Sequence, residues 1–270
     1  MITVLKEMAT DHLQNIHQIF KLAKADLVKT YRGAALGWSW AIIKPCMTLF
    51  TYWFAFSFGL RSGAPVNGVP FFLWLACGIV PWFYMSEMLS MGTDCIRRYT
   101  YLVTKMKFPV SVIPTFYSLS KMMINVALVL VVMILYWCMG FPPTVYYLQI
   151  PLYILFSFAF FTLWAQFAAL FSAISKDFFN LIKSFVTPLF WLSGILWNVD
   201  AANDVTWVRY FLAANPITFL VSGFRNSLVN NRWFFESPLR LLCFICWLVL
   251  FFFLSLWAYK RLRKEIPDVL

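Results

Sequence analysis

The chain has 270 residues, of which 62% are hydrophobic and 12% charged, with a mean hydropathy of +0.74. Soluble domains carry roughly 45–50% apolar and about 25% charged residues, so this composition excludes an ordinary water-solvated domain and points to the lipid bilayer. The net charge of +11 is no nucleic-acid footprint, because the basic residues lie in short segments between apolar runs rather than on one soluble face, and no nucleic-acid partner is expected.

In chain order, residues 1–40 form an amphipathic cytoplasmic arm. Leu13, Ile16, Phe20, Ala23 and Leu27 recur at three- and four-residue spacing, with Gln14, Gln18, Lys21 and Lys29 around them. Such a stripe on a cationic helix suits the plane of the membrane interface or the surface of a partner. This charged start does not read as a signal peptide. Trp38 and Trp40 mark the turn into the bilayer.

Six apolar runs follow, over about 41–59, 71–91, 111–139, 150–173, 181–197 and 239–259. A helix of roughly 20 residues crosses a hydrocarbon core about 30 Å thick, and only a helix satisfies its own backbone there. The expected fold is therefore all-α and polytopic, with six transmembrane helices in a domain over 41–259 and a basic cytoplasmic tail over 260–270. In the loop 198–238, an apolar stretch is cut at Asn215-Pro216. A seventh crossing there would put the Lys260-Arg261-Leu262-Arg263-Lys264 tail outside, so the loop is read as short re-entrant helices with Pro216 at a helix start.

Charge sets the orientation. Arg61, Arg209, Arg225, Arg232 and Arg240 occupy the odd-numbered loops, and the other 17 of the 22 basic residues lie in the arm, the even-numbered loops, their flanks and the tail. The positive-inside rule then places both termini in the cytoplasm of a multi-pass protein.

Chemistry is sparse. No glycine precedes Lys-Ser or Lys-Thr, so the chain lacks the usual phosphate cradle and is not expected to be an enzyme. His12 and His17 form no metal cluster, and Cys243 and Cys246 make a C-x-x-C inside a span with no further ligands nearby, so no metal or cofactor is expected. Glu87 and Lys121 are the clear intramembrane charges, expected to snorkel, to pair with each other or to contact substrate. The 92–110 loop, with Arg97, Arg98, Lys105 and Lys107 closed by Phe108-Pro109, reads either as a helix docking into a partner or as a basic loop that merely obeys the charge rule. Among the abundant aromatics, Tyr52, Trp53, Phe56, Phe190, Trp191 and Trp197 are candidates to line a path for sugars, whose apolar faces stack on rings.

Several motifs, in order, resemble the permeases of bacterial polysaccharide ABC exporters of the ABC-2 type. They are Tyr31-Arg32-Gly33, Leu36-Gly37-Trp38 and Pro45, then Lys105-Met106-Lys107-Phe108-Pro109, Lys176-Asp177, Asn215-Pro216 with Arg225, and Asp268-Val269-Leu270. Tyr52-Trp53-Phe54 through Pro65-Val66-Asn67-Gly68-Val69-Pro70-Phe71, and Phe108 through Pro114, are most similar to teichoic acid translocation permeases. The chain departs from that pattern at Lys176, where arginine is common, and at Gly194, where proline is common.

The resemblance implies a half-transporter in the bacterial plasma membrane. A second copy of the chain and two cytoplasmic ATPase subunits, which carry the ATP and Mg, would complete it. Arg97, Arg98, Lys105, Met106, Lys107, Phe108 and Pro109 would couple to the ATPase. Tyr31, Arg32, Gly33, Gly37, Trp38 and Pro45 would form a gate, and Asn215, Pro216 and Arg225 would belong to the outer re-entrant cap. The cargo would be lipid-linked teichoic acid moved between leaflets, with another glycan (O-antigen or capsule) as the alternative. A membrane transferase acting on lipid-linked sugars fits less well, since no nucleophile or acid–base set is present.

Overall fold

The computed structural model describes residues 1–33, 35–59, 63–106, 108–199, 205–263 and 265–266. Arg61, Lys107 and the Asp268-Val269-Leu270 terminus lie outside the described residues. Among those described, the chain is helical with no strand, apart from an isolated bridge between Val66 and Val69.

The arm consists of α1 (Ile2–Gln14) and α2 (Ile16–Tyr31), broken at Asn15. Five stretches are long and apolar enough to cross a membrane: Gly37–Gly59, Phe71–Gly92, Val110–Cys138, Val145–Ile174 and Pro238–Leu262. Their α-helical cores are α3 (Trp40–Phe54), α4 (Phe71–Glu87), α7 (Ile113–Cys138), α8 (Ile150–Ile174) and α12 (Pro238–Leu262), each bound close to its apolar run. Two short helices, α5 (Cys95–Arg98) and α6 (Thr100–Thr104), fill the loop between α4 and α7.

The expected span at 181–197 differs. Its helix, α9 (Lys176–Leu192), has 17 residues, about 26 Å at the helical rise, and its first half carries Lys176, Asp177 and Lys183. The apolar run overshoots because it includes a turn: Gly194 sits at φ +68, a left-handed conformation that a proline ring forbids. Glycine at this position ends the helix.

Ring contacts fix the helix directions. Phe156 meets Phe244 at 5.4 Å, Phe160 meets Phe251 at 5.5 Å and Phe171 meets Trp257 at 6.0 Å, so α8 and α12 run side by side in the same direction. Residues 175–237 must therefore carry the chain back to the end where α8 began. α9 makes most of that return along α4, with Phe190 against Trp82 and Tyr52 at 5.5 and 5.3 Å. The rest falls to α10 (Thr206–Ala214) and α11 (Pro216–Arg225), two short helices separated at Asn215 as the sequence predicts. Asn215 caps α11 by accepting the Ile217 N–H (2.9 Å) and donates to Ser193 Oγ (2.9 Å). Ile217, Thr218, Leu220, Val221 and Phe224 of α11 are buried against the long helices, so α11 is inserted rather than laid on the surface.

Between helices in lipid, close packing and hydrogen bonds supply most of the attraction. α8 offers small buried residues, Ser157, Ala165, Ala169, Ser172 and Ala173, that admit its neighbours. Tyr84, Ser118 and Thr162 form a buried hydroxyl chain with links of 2.8 and 2.7 Å that ties α4, α7 and α8 together. By contrast, α3 is mostly exposed, as is α9 except at Phe190.

Candidate functional site

A cavity of about 670 Å³ opens between the end of α2 and helices α3, α4 and α7. Tyr31, Pro45, Glu87 and Lys121, all singled out from sequence, line it together with Lys44 and Asn125. The arm reaches this place through a turn in which Gly33 and Gly37 both have positive φ, while Tyr31 and Trp38 hold their rings 5.2 Å apart. Arg32 is the extended residue ending α2.

The two intramembrane charges do not pair with each other. Lys121 bridges Asp26 of α2 at 3.1 Å, and Ser120 and Tyr99 also donate to that carboxylate. Burial opposes ionisation of Asp26, but the ammonium and the three hydroxyl and ammonium donors outweigh it and hold the carboxyl below its usual range. The same burial, with Asp26 alongside, pushes the Tyr99 phenol up. Glu87 instead accepts from Tyr117 Oη (2.7 Å), which in turn accepts from Arg98 (3.3 Å), while Lys121 lies 4.9 Å over the Tyr117 ring. Pairing across elements thus replaces the expected mutual pair.

Asn125 is the polar residue that the sequence did not mark. It is 3% exposed, its Nδ2 finds Met122 Sδ at 3.9 Å, and its Oδ1 has no partner within the protein. A buried carbonyl without a donor costs free energy on the order of 1–3 kcal/mol, which a ligand hydroxyl or N–H at the cavity wall would recover.

A second recess of about 270 Å³ continues from the first, sharing Thr48, Phe83 and Ser86 with it. Tyr52, Phe190 and Trp191 line this recess with Trp82. The other aromatic candidates lie elsewhere. Trp53 packs on Phe50, Phe58 and Phe72, and Phe56 packs on Phe71. Trp197 donates its indole N–H to the Trp191 carbonyl (2.8 Å). Membership of one helix cannot sort these, because neighbours on one helix turn face different sides.

The residues of the expected stripe divide between two faces of the arm. Leu13, Ile16 and Phe20 are exposed, Leu27 is half-buried, and Ala23 is buried with Val4, Met8, Ile19 and Asp26. One face therefore grips the bundle while the other presents apolar side chains outward. Asp11 accepts from Ser111 (2.8 Å), His12 Nε2 lies 2.8 Å from Thr115 Oγ1, and Glu7 pairs with Arg263 at the end of α12. That guanidinium holds the Glu7 carboxyl below its usual range.

In the 92–110 loop, Arg98, Lys105 and Met106 are exposed and Arg97 is half-buried. Phe108 is buried, and its N–H donates to the Leu102 carbonyl (2.9 Å), so it anchors the loop instead of projecting from it; Pro109 follows, half-buried. Asp94, at the base of the loop, has its carboxyl raised by burial despite Arg97, Arg98 and Lys176 nearby.

At the opposite end, Arg225 is 4% exposed. Its guanidinium lies 3.6 Å from the Trp74 ring centre and donates to the Gly194 and Ile195 carbonyls. Gly78 makes room: a Cβ there would stand 2.6 Å from Arg225 Nη2 and 2.9 Å from the Ile195 carbonyl.

Among the described residues, no group of three or more His, Cys, Asp or Glu is placed to hold a metal. The chain is 23% identical over 243 residues to the O-antigen export system permease protein RfbA of Myxococcus xanthus, covering 90% of this chain and 92% of that one. Residues 17–229, the arm from His17 through the inserted helix α11, match the ABC-2 type transporter family. The chain therefore belongs to the ABC-2 type transporter family, as the membrane component of a transporter that works with ATPase subunits.

Proposed function

We propose that the chain is the permease half of an ATP-driven exporter that moves a lipid-linked glycan from the cytoplasmic to the outer leaflet of the bacterial plasma membrane. The observation that carries this reading is the continuity of the two recesses. A polar cavity under the arm, with Lys44 and the Asn125 carbonyl on its wall, leads into a groove lined by Trp82, Tyr52, Phe190 and Trp191. An ammonium suits a diphosphate, a buried acceptor suits a sugar hydroxyl, and aromatic faces suit pyranose rings.

The groove is walled by α3 and α9, the two long helices with the least buried surface. In this reading a second copy closes it. α9, with the turn at Gly194, acts as the sixth crossing, a role the parallel packing of α8 and α12 supports, and both termini are cytoplasmic. The exposed residues of the 92–110 loop, Arg98, Lys105 and Met106, dock on two ATPase subunits that hold ATP and Mg. α10 and α11 cap the exit.

Two cargoes fit. The motif resemblance favours teichoic acid, whereas the relative named for O-antigen export favours an O-antigen-type polysaccharide. Depletion of the protein, followed by mass spectrometry of the lipid-linked polymer that accumulates inside, decides between them. The export reading itself is tested in proteoliposomes containing the chain and its ATPase. Lipid-linked glycan becoming accessible on the far leaflet only with ATP is the expected result, and ATP-independent or absent movement in an assembled, ATP-hydrolysing complex contradicts it.

A further inference from the structure

The end of the bundle opposite the arm contains a separate pocket of about 470 Å³. Arg209 of α10, Arg225 of α11, Arg232 after α11 and Arg240 in the first turn of α12 all line it. Four of the five arginines that the charge pattern assigns to the outer side thus converge on one place. Glu236 is the acid among the described lining residues, and its carboxylate accepts the Trp233 N–H (2.7 Å). Counting Asp200 and Asp204 of the same loop against them as well, the arginines still leave a positive balance. The pocket wall also includes Ser237, Pro238 and Leu239, the N-terminus of the 25-residue α12, where the helix dipole favours an anion.

The surroundings are apolar and exposed. Trp207 and Tyr210 on α10, and Leu239 and Leu242 on α12, present their side chains outward beside the pocket, and α10 packs on α12. Tyr146, Trp233 and Phe235 form a ring stack at the same end, with centroids 5.0 and 6.1 Å apart. Aromatics of this kind sit at the headgroup level of a bilayer. An anion in this pocket would therefore have hydrocarbon immediately beside it.

We propose that this pocket binds the phosphodiester headgroup of an anionic phospholipid, whose acyl chains lie along the exposed faces of α10 and α12. Arginine suits this ligand because its planar fork donates two parallel hydrogen bonds to phosphate oxygens. The bound lipid would brace the α10–α11 cap against the start of α12. The cargo reading enters only in naming the outer leaflet as the source of the lipid.

Native mass spectrometry of the detergent-purified full chain tests the proposal, with phosphatidylglycerol and phosphatidylcholine of identical acyl chains as probes. Arg209 and Arg232 are both exposed, so R209Q/R232Q leaves the buried seat of Arg225 intact, and a thermal melt verifies its fold. Phosphatidylglycerol is expected to be retained over phosphatidylcholine, and R209Q/R232Q to weaken that retention by about tenfold. K21Q/K24Q, which removes basic charge from the arm, is expected to keep it. Equal retention of the two lipids, or loss in K21Q/K24Q but not in R209Q/R232Q, overturns the proposal. Displacement by soluble glycerol phosphate at equal concentration also overturns it, because the site would then read phosphate without the lipid. Binding in detergent needs neither ATPase nor transport, so this result and the export assay fail independently.

Discussion

The two ends of the bundle hold their charges in different ways. At the arm end, ions are paired across elements: Asp26 of α2 with Lys121 of α7, Glu7 of α1 with Arg263 after α12, and Glu87 of α4 with Arg98 of α5 through the Tyr117 hydroxyl. At the far end, the Arg225 guanidinium lies over the Trp74 ring and donates to the Gly194 and Ile195 backbone carbonyls, partners that do not titrate. Ion pairs linking separate helices can be exchanged as those helices move. A guanidinium seated on backbone fixes one geometry. The comparison assigns motion to the arm and the α5–α6 loop, and a fixed frame to the contact of α4, α9 and α11.

The largest expected effect comes from breaking the fixed seat. Gly78→Val places side-chain carbon where the guanidinium lies and strands a buried charge, at a cost of about 3–5 kcal/mol. Size-exclusion profiles and thermal melts in detergent should show loss of a monodisperse fold, and a wild-type melt would remove the rigid-frame half of the comparison.

Next is the pair at the other end. Asp26→Asn leaves Lys121 buried without its counter-ion and should destabilise by about 2–4 kcal/mol, while D26N/K121M recovers most of that loss because a buried pair replaced by neutral groups is near neutral overall. Thermal melts of the wild type, D26N, K121M and D26N/K121M form the cycle, and additive losses would mean the pair is not coupled. The pH dependence has a defined sign. Since the folded Asp26 carboxyl lies below its unfolded value, its contribution is complete above the ordinary aspartate range and disappears as pH falls through the lower, folded value. D26N should abolish that part of the acid sensitivity, and an unchanged acid profile would contradict the assignment.

Much of this architecture was legible in sequence, for reasons that particular residues show. Five apolar runs matched long helices because lipid demands about 20 uninterrupted residues, a strong signal. The run at 181–197 was displaced from its helix, Lys176–Leu192, because Gly194 turns the chain without making it more polar. In the arm, the Lys24-Ala25-Asp26 context looks like a solvated face, so nothing local marked Asp26 as the partner of a lysine 95 positions later. The packed face of the arm was not legible for a related reason: the exposed face, with Leu13, Ile16 and Phe20, is as apolar as the face of Val4, Met8 and Ile19 that packs on the bundle. Phe108, which follows Lys105-Met106-Lys107, looked outward, yet it is the loop's buried anchor. Asn125 carried no sequence signal, since its significance lies in what its Oδ1 does not touch.

Smaller effects sharpen the moving half of the comparison. Tyr99→Phe removes the hydroxyl by which the loop grips Asp26 and should cost about 1 kcal/mol in a thermal melt while weakening the coupling of ATP hydrolysis to export. Lys105→Glu, on the exposed loop surface, should change stability by less than about 0.5 kcal/mol yet impair co-purification with the ATPase. Intact co-purification would move the docking surface elsewhere.

The central claim is that cargo travels from the cavity under the arm into the aromatic groove. Thr48 lines both recesses, whereas Phe58 packs on Trp53 and Phe54 away from them. A photo-crosslinking side chain at each position, in the assembled complex turning over ATP with lipid-linked glycan, tests the path directly. Glycan adducts at position 48 and not at position 58 are the result predicted. Equal labelling at both positions, or labelling at 58 alone, would contradict the path.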